Sequence, residues 1–535
     1  MRSRMEASSL YTFDTAWYYP RFLRQGGGKV FREGHICGVV AARTAREMEH
    51  ALLKALRRVR TVELRLDYLR DSRERQAFLS RLGRVHHRAT MIATCRSRRG
   101  GGLFRGAAQA QREVLLAAVR AGCQWCDVEI EALARWPELE LKRDLRPARV
   151  LLSYHDFRGT PNHLDRVARK LEQASQDAIK IATQCRTNRD AVRLLDLARE
   201  RRNRVIVPMG ETGMAARILA LRAGSVLAYA AAETPTAPGQ TSLDELTDLY
   251  SADRLTRRTR VYGVIGDPVA HSLSPLMQNT AFQARRIDAV YVPFRVPDLP
   301  DFLEAVAPLG LSGFSITLPH KEEIVRRLDD CDPLAREIGA VNTVIVRSGG
   351  SLYGYNTDYV GVLRAVERRV RLMGSRVLLL GAGGAARAAA FALTRGGAVV
   401  SICARREQPA RALARAVGGE AIPRERIRDE FFDAIVNCTP IGLRPGDGSP
   451  ISAPEMNCRI VMDMIYRPRV TKFLHLAQQR GIETITGADM FVAQGAAQWE
   501  IWTGSRAPEE VMRNAVERAL AREERGRRRP LRVEN

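Results

Sequence analysis

The amino-acid sequence predicts an α/β protein: an N-terminal (β/α)8 barrel followed by a two-domain α/β unit with a Rossmann-like cofactor domain. Residues 35–250 alternate eight short β-branched runs with amphipathic stretches, which is the rhythm of a closed parallel barrel. A polar stretch, "TRRTR" at residues 256–260, precedes a new series of strands. Residues 376–393 then read as a strand, a tight glycine turn and a helix, the pattern of a dinucleotide-binding fold.

Size and composition are those of a globular protein with several domains. The chain has 535 residues, 45% of them hydrophobic and 27% charged, and about 150 residues per domain predicts roughly two to four domains. No apolar run approaches the ~20 residues that span a bilayer. Residues 1–34 contain no apolar core of a secretory signal, and we interpret them as an extension of unknown role.

Nine cysteines are scattered without pairing spacings, which favours a reducing compartment and predicts a cytoplasmic protein. Cys123 and Cys126 form the one CxxC motif. No second ligand pair accompanies them, so we expect both to pack in the core and expect no metal site.

The formal net charge is +25, and 78 of the 85 basic residues are arginine. These arginines are spread over every segment, which favours a compositional bias or a basic enzyme with anionic substrates over a nucleic-acid-binding stripe. Binding of nucleic acid through this charge remains a minor alternative.

The eight strand candidates of the first half are each followed by a helical pattern. In order they are "ICGVVAA", "TVELRLD", "TMIATCR", "CDVEIEA", "RVLLSYHD", "AIKIAT", "RVIVPMG" and "SVLAYAA". Active-site residues of such barrels lie at the carboxyl ends of the strands. The polar or chemically useful side chains predicted at that rim are Glu63, Arg65, Arg96, His155, Lys180 and Met209.

Lys180 is the side chain at this rim with the clearest chemical potential. It lies in the apolar run "QDAIKIA" in a chain that otherwise uses arginine for most of its positive charges. Burial favours the neutral amine, which can attack a ketone and form an imine, whereas arginine stays protonated. His155 in "SYHDF" can carry protons near neutral pH. The alternative is a structural lysine that pairs with a carboxylate such as Glu63.

Five motifs in this half, "ELRLD", "SYHDF", "IKIA", "VPMGETGMAAR" and "TAPGQTS", together resemble type I 3-dehydroquinate dehydratase. The resemblance implies that Lys180 forms an imine with the substrate ketone and that His155 moves the protons as water is lost to give 3-dehydroshikimate. It implies that Arg217 binds the substrate carboxylate. The other implied pocket residues are Glu63, Arg65, Arg96, Thr236 and Gln240.

Two positions depart from that family. Thr236 stands where serine is usual, which keeps the hydroxyl. Gly100, in "CRSRRGGG", stands where the family typically has a glutamate. We expect the loss of this carboxylate to lower the dehydration rate or shift the pKa of the histidine without removing the imine chemistry.

The glycine turn of the second half predicts a cofactor site. Gly381, Gly383 and Gly384 allow the backbone to approach a pyrophosphate at the helix N-terminus, while Ala386 replaces the third glycine of the usual pattern. The next strand ends at "ARR", where Arg405 and Arg406 favour the 2′-phosphate of NADP over NAD.

A further set of motifs resembles shikimate dehydrogenase over about residues 260–505. They are "GDPVAHSLSPLMQNTAF", "GFSITLPHKEEI", "IGAVNTV", "GYNTDYVG", "VNCTPIGL", "VMDMIY" and "TGADMFVAQGAAQWEIWTG". The resemblance implies that Lys321 and Asp358 form the acid–base pair beside the carbon that receives hydride, and His320 we interpret as a framework residue. The implied ligands of substrate are Ser272, Ser274, Thr317, Asn342, Tyr466 and Gln494, and those of NADP are Gly381, Ala382, Gly383, Gly384, Ala385, Arg405, Arg406, Gly487 and Met490.

The product of the first reaction is the substrate of the second, so the chain resembles the bifunctional dehydratase–shikimate dehydrogenase of plants. We predict the extension at 1–34, the barrel at 35–250, a shikimate-binding domain at 258–360 completed by a C-terminal helix at 488–525, and an NADP-binding domain at 361–487. The expected small-molecule partners are 3-dehydroquinate, 3-dehydroshikimate and shikimate, with no membrane partner. Two alternatives stay open: a quinate-pathway regulatory protein that binds without turnover, and a catabolic NAD-dependent quinate/shikimate dehydrogenase.

Overall fold

The fold is described from a computed structural model. The structure describes residues 34–83, 89–174, 177–237, 239–444 and 446–528. Residues 1–33 of the predicted extension, Gln176 of the "QDAIKIA" run and residues 529–535 lie outside the described residues.

The N-terminal half is a nearly closed barrel of eight parallel strands in the order β7-β6-β5-β4-β3-β2-β1-β8. The strands are β1 Ile36–Val40, β2 Thr61–Arg65, β3 Thr90–Thr94, β4 Trp125–Glu129, β5 Arg149–Asp156, β6 Ala178–Gln184, β7 Arg204–Met209 and β8 Ala228–Ala231. All eight predicted strands are confirmed. The seam between β7 and β8 is bridged at one end by a hydrogen bond from the Val226 N–H to the Arg204 carbonyl.

In the part of the chain that the structure describes, seven α-helices cover the barrel. They are α1 Ala45–Leu56, α2 Ser72–Leu82, α3 Ala108–Arg120, α4 Glu138–Leu145, α5 Leu164–Ala174, α6 Asn188–Glu200 and α7 Met214–Ala223. Their local sequence explains their starts: Thr44 with Glu47, and Thr187 with Asp190, form reciprocal capping boxes before α1 and α6, which satisfy N–H groups that a helix start leaves unpaired. Apolar side chains alternate into the barrel interior, and this inner layer includes Ile92, Trp125, Leu151 and Met209.

A mixed six-stranded sheet begins the second half, with strand order β10-β9-β11-β13-β14-β12. Its strands are β9 Arg260–Gly266, β10 Ala289–Arg295, β11 Leu311–Ile316, β12 Asp330–Cys331, β13 Thr343–Val346 and β14 Leu352–Tyr355. Its helices are α8 Ser274–Arg285, α9 Leu299–Leu309 and α10 Pro333–Ile338. Strands β9 and β11 run parallel and end side by side at Ile265 and Ile316, so the loops that follow them meet at one edge.

A third, fully parallel sheet has the order β17-β16-β15-β18-β19-β20. Its strands are β15 Arg376–Leu380, β16 Val399–Cys403, β17 Glu420–Ala421, β18 Phe432–Asn437, β19 Cys458–Asp463 and β20 Glu483–Ile485, and its helices are α11 Thr357–Glu367, α12 Gly384–Arg395, α13 Glu407–Val417 and α14 Lys472–Gln479. Counted from β15, this is the 3-2-1-4-5-6 order of dinucleotide-binding folds, which confirms the predicted Rossmann-like domain.

The single C-terminal helix predicted at 488–525 is wrong in one respect, because two helices occupy that segment. Helix α15 spans Gly487–Thr503 and α16 spans Glu509–Arg528. Gly504 ends α15 with a left-handed φ of 66°, which glycine adopts without steric penalty, and Pro508 follows. Trp499 of α15 and Met512 of α16 pack into the same cluster as Tyr262 of β9, so the C-terminal helices do complete the second unit.

No helix of the described residues is both long and apolar enough to cross a bilayer.

The packing of α15 gives a stability prediction. Trp499 is fully buried and its ring lies 4.9 Å from that of Phe282. We expect Trp499→Ala to lower the unfolding free energy of the second unit by about 3–5 kcal/mol through the cavity it leaves. Calorimetry should show one thermal transition moving down. The control Leu139→Ala, at a side chain that is 83% exposed, should change stability by less than about 0.5 kcal/mol, and equal shifts for the two variants would contradict this packing account.

Candidate active sites

The barrel interior brings together five of the predicted rim residues. Glu63 and Arg65 on β2, Lys180 on β6 and Arg96 just after β3 are all buried, and His155 near the end of β5 is half-buried. They come from four different strands, so only closure of the barrel makes them neighbours. Met209 is also buried, in the apolar layer of the interior.

Lys180 lies between two carboxylates. Its Nζ is 3.0 Å from Glu63 Oε1 and 2.9 Å from Asp127 Oδ2, and it sits 4.0 Å from the centre of the Tyr229 ring. Burial favours the neutral amine, and the pairing with Glu63 that the sequence left open as the alternative is present beside it. The two carboxylates act in the opposite direction because they stabilise the ammonium ion. To act as a nucleophile, Lys180 therefore has to transfer a proton to a neighbouring group.

Arg96 connects Asp127 to His155. Its Nη2 is 2.9 Å from Asp127 Oδ2 and its Nη1 is 2.9 Å from His155 Nδ1. Because a guanidinium can only donate, Nδ1 is the acceptor and the neutral ring carries its proton on Nε2. Burial, followed by the positive charges of Arg96 and Lys180, lowers the pKa of His155 well below its ordinary value. The ring is therefore neutral at pH 7.

Sequence reasoning missed Asp127 and Tyr229. Asp127 accepts hydrogen bonds from Lys180 and from the Ser153 hydroxyl; burial would raise its pKa, but Arg96 and Lys180 lower it far below the usual range. The Tyr229 hydroxyl is buried and has no hydrogen-bond partner among the described residues. Asp127 could have been found from the alternation in "CDVEI", where Asp127 and Glu129 share one face of a strand. Nothing in the sequence marked Tyr229.

Arg217, on α7, is fully buried, and its Nε donates to the Pro208 carbonyl at 2.9 Å. Its Nη2 has no partner among the described residues, and burial lowers the pKa of Arg217 to about 10. Thr236 and Gln240 form a small pair, with the Thr236 N–H 2.7 Å from Gln240 Oε1.

Arg65 does not extend an unpaired guanidinium into the pocket. It forms a two-pronged ion pair with Asp67, at 2.9 and 2.8 Å. Burial alone would lower the pKa of Arg65, but Asp67 raises it above the ordinary value. Asp67 also accepts from the Leu103 N–H and so ties β2 to the turn that contains Gly100.

The second site lies where β9 and β11 end. Lys321 Nζ is 2.6 Å from Asp358 Oδ2, which brings together the predicted acid–base pair from two different elements. Asn342 Oδ1 accepts from the Thr357 N–H at 2.7 Å, so its amide group is fixed beside the start of α11. The Ser272 hydroxyl accepts from the Ser274 N–H at 3.2 Å, and Ser274 begins α8.

Three further predicted ligands lie in this half. The Thr317 N–H bonds the Ile265 carbonyl between the ends of β9 and β11. Tyr466 stacks on Phe491 with ring centres 4.6 Å apart, and burial raises its pKa. The side-chain amide of Gln494 donates a hydrogen bond to the Phe491 carbonyl of the same helix.

Three further polar side chains belong to the second unit: His320, Tyr291 and Ser315. His320 bonds the Val296 carbonyl at 2.7 Å, in accord with a framework role. Sequence reasoning missed Tyr291, whose hydroxyl bonds that of Ser315.

The glycine loop fits a dinucleotide. Gly381 has a φ of 111°, which favours glycine. Gly383 caps α12 without a side-chain hydrogen bond, and a β-carbon there would meet open space. Arg405 and Arg406 follow β16 and are exposed, with no ion pair among the described residues. Backbone N–H groups, a helix N-terminus and two free guanidinium groups suit a pyrophosphate and a 2′-phosphate.

The remaining predicted NADP ligands lie around this loop or at the start of α15. Ala382 and Ala385 flank the two glycines of the turn. A β-carbon at Gly487 would overlap the backbone of Ile465, so this glycine has a packing reason of its own. Met490 is buried in the core of the cofactor domain.

The two members of the CxxC motif are packed in the barrel core. Burial raises the pKa of both the Cys123 and the Cys126 thiol, in accord with the predicted packing role.

Comparisons with known proteins agree with both halves of this description. Residues 36–257 match the type I 3-dehydroquinase family, residues 264–344 match the shikimate dehydrogenase substrate binding domain, and residues 487–517 match the shikimate 5'-dehydrogenase C-terminal domain. The bifunctional 3-dehydroquinate dehydratase/shikimate dehydrogenase of Arabidopsis thaliana, named as chloroplastic, is 34% identical over 477 residues, which are 84% of this chain and 78% of that protein.

Relatives of the second half alone are also known. A shikimate dehydrogenase (NADP(+)) of Syntrophobacter fumaroxidans is 42% identical over 279 residues, covering 50% of this chain and 96% of that protein. The crystal structure of shikimate 5-dehydrogenase from Thermus thermophilus with NADP(H) and shikimate is 39% identical, covers 49% of this chain and all of that chain, and superposes with a TM-score of 0.46.

The fold and the two sites define an enzyme that joins a barrel lyase to an NADP-dependent oxidoreductase. The chain belongs to the family of bifunctional 3-dehydroquinate dehydratase/shikimate dehydrogenases. It dehydrates 3-dehydroquinate and reduces the resulting 3-dehydroshikimate with NADPH. The comparisons lend no support to the regulatory or the NAD-dependent catabolic alternative.

The lowered pKa of His155 gives a pH prediction. In the unfolded chain the ring gains a proton below about pH 6.5, while the folded ring resists it, so His155 contributes stability above that pH that is lost as the pH falls. We expect the barrel to lose up to about 1.4 kcal/mol per pH unit from this group below pH 6.5. The unfolding temperature of wild type should therefore fall more between pH 7.5 and 5.5 than that of His155→Asn. Parallel curves for the two proteins would contradict the assignment.

Proposed function

We propose that the two reactions take place at two separate sites, at the rim of the barrel and at the edge where β9 and β11 end. The proposed units are residues 35–250 for dehydration, 258–360 with the C-terminal helices for binding 3-dehydroshikimate, and 361–487 for NADP. The small molecules are 3-dehydroquinate, 3-dehydroshikimate and shikimate. The nine unpaired cysteines support work in a reducing compartment such as the cytoplasm.

The observation that carries the dehydratase proposal is the unpaired guanidinium of Arg217. A buried cation without a carboxylate partner is costly, and Nη2 has none among the described residues. The carboxylate of 3-dehydroquinate supplies the missing anion and forms charge-assisted hydrogen bonds with this guanidinium. Substrate binding is thereby coupled to the relief of an unfavourable charge.

Lys180 then attacks the substrate ketone. Asp127 is held by Arg96 as well as by Lys180, which makes it a poor proton acceptor, whereas Glu63 Oε1 has the Thr94 hydroxyl as its other donor. The ammonium proton therefore passes to Glu63, and the free amine adds to the carbonyl carbon. Glu63 returns the proton to the former carbonyl oxygen, which leaves as water, and the resulting protonated imine withdraws electrons and acidifies the neighbouring C–H.

His155 removes this proton. In the arrangement described above its Nδ1 lone pair is occupied by Arg96. Arg96 is also a proposed ligand of substrate hydroxyls, so substrate recruits its guanidinium and frees Nδ1 to accept the proton. The protonated ring then donates to the departing hydroxyl, and hydrolysis of the imine releases 3-dehydroshikimate.

At the second site Lys321 and Asp358 flank the carbonyl that is reduced. Bound NADPH supplies the hydride. The Lys321 ammonium donates the proton that the developing alkoxide needs, while Asp358 orients it through the 2.6 Å hydrogen bond. Ser272 and Ser274 bind the substrate carboxylate, and Thr317, Asn342, Tyr466 and Gln494 contact the carboxylate or the ring hydroxyls.

The cofactor is held at the start of α12. Gly381, Ala382, Gly383, Gly384 and Ala385 present backbone to the pyrophosphate, and Arg405 and Arg406 bind the 2′-phosphate. Gly487 and Met490 border the nicotinamide end. The prediction that the positive net charge does not mark a nucleic-acid site remains a prediction.

Selective loss of each reaction tests the proposal. Purified wild type with 3-dehydroquinate and no cofactor should show a rising ultraviolet absorbance from the conjugated enone. Lys180→Ala should abolish the rise, because no imine forms, while it leaves NADP-dependent oxidation of shikimate intact. Lys321→Ala should lower only the second activity by at least about a hundredfold.

The matched control is Lys170→Ala, which removes an exposed lysine on α5 and should leave both activities unchanged. A Lys180→Ala protein that still produces enone at the wild-type rate would contradict the imine mechanism. A wild-type protein that produces none would mean that the barrel only binds its ligand.

The cofactor assignment has its own test. Replacing Arg405 and Arg406 together by serine should raise the KM for NADPH roughly ten- to hundredfold, because charged hydrogen bonds are worth about 1.5–3 kcal/mol, and should leave the KM for NADH unchanged. Arg415→Ser, at an exposed arginine of α13, is the control. An equal rise for both cofactors would show that the pair does not read the 2′-phosphate.

A further inference from the structure

The carboxylate of Glu129 lies where a side chain at position 100 would be. A β-carbon added at Gly100 would lie 2.8 Å from Glu129 Cδ and closer still to its Oε1. Any side chain at position 100 would therefore have to displace the carboxylate of Glu129. The absence of a side chain at Gly100 and the position of Glu129 are two parts of one arrangement.

Glu129 is held firmly in that place. It lies at the end of β4, is buried, and accepts three kinds of donor: the Ser97 N–H at 3.0 Å, the Ser97 hydroxyl at 3.1 Å and the Gln111 amide at 2.9 Å. The Ser97 hydroxyl in turn accepts from the Gly100 N–H at 3.2 Å. Within the described residues Glu129 forms no direct ion pair, and these hydrogen bonds stabilise its buried charge.

The turn that Glu129 holds lies against the histidine of the dehydratase site. Residues 97–102 follow Arg96, whose guanidinium bonds His155. A β-carbon at Gly101 would overlap the ring of Phe157, so the turn and this ring are in close contact. The Phe157 ring lies nearly parallel to that of His155, with centres 6.2 Å apart. Contacts therefore run from Glu129 through Ser97 and the turn to both neighbours of His155.

We propose that Glu129 is a positioning residue of the dehydration reaction: it takes the space left by Gly100 and holds the turn at 97–102, so that Phe157 orients the His155 ring and Arg96 holds the ring until substrate binds. The inference rests on the proposed role of His155 as the proton carrier. It assigns Glu129 no contact with substrate. Its effect falls on proton transfer and not on binding or on formation of the imine.

The kinetic test compares Glu129→Gln and Glu129→Ala with Glu131→Gln, a control at an exposed carboxylate two residues along the chain. Glu129→Ala should lower the dehydratase kcat about tenfold or more, and Glu129→Gln less, since one amide oxygen remains to accept. The affinity of the barrel for 3-dehydroshikimate, measured by calorimetry with the second site saturated by shikimate, should stay within about twofold. Oxidation of shikimate by the same protein reports that the second unit is folded, and retained binding of 3-dehydroshikimate reports that the barrel is.

An isotope effect separates positioning from a general loss of structure. With 3-dehydroquinate deuterated at the carbon that loses the proton, the kinetic isotope effect on kcat should be larger for Glu129→Ala than for wild type, because proton removal becomes more strongly rate-limiting. An unchanged isotope effect together with weaker product binding would assign Glu129 a purely structural role and overturn the proposal.

A double-variant cycle tests the shared space. Gly100→Ala should also lower kcat, since its β-carbon expels the Glu129 carboxylate, and adding it to Glu129→Ala should cost little more. Losses that simply add would contradict the shared space. If His155→Asn keeps the wild-type kcat, the proposed proton carrier is wrong; if His155→Asn is inactive while both Glu129 variants are unaffected, only this inference fails.

Discussion

The buried charge cluster of Lys180, Glu63, Asp127 and Arg96 is the constraint on which the first site depends. Taking four charged groups out of water is costly unless each is paired. Here every member meets an opposite charge at about 3 Å. The partners come from β2, β3, β4 and β6, so the barrel must close in one register to satisfy them. The same pairing leaves Lys180 with an acceptor for the proton it must lose.

Much of the fold follows from the sequence. Eight β-branched runs gave eight strands, and the glycine turn gave the start of α12, because strand and helix periodicity are local properties. The split of the C-terminal helix was missed, since helical patterns lie on both sides of Gly504 and Pro508. The site was harder: Lys180, His155, Lys321 and Asp358 were all anticipated, but largely through motifs that resemble two families.

The sequence did not show which side chains contact Lys180 across the barrel. Asp127 and Tyr229 face Lys180 from strands 53 and 49 residues away, and no periodicity connects them. Burial of Lys180 and its possible pairing with Glu63 were both foreseen, but the second carboxylate, Asp127, was not. From the sequence, Gly100 indicated only a missing carboxylate. In the structure, the carboxylate of Glu129 occupies the space where a side chain at position 100 would lie. Local sequence pattern thus identifies candidate site residues, whereas closure of the barrel determines which side chains each of them contacts.

In the proposed mechanism Lys180 leaves its ion pairs and bonds covalently to substrate. Borohydride reduction of the protein in the presence of 3-dehydroshikimate, followed by peptide mapping by mass spectrometry, tests this most directly. We expect a single stoichiometric adduct on the peptide that contains Lys180, and none without ligand. Turnover of 3-dehydroquinate with no adduct on that peptide, or with the adduct on another lysine, would contradict it.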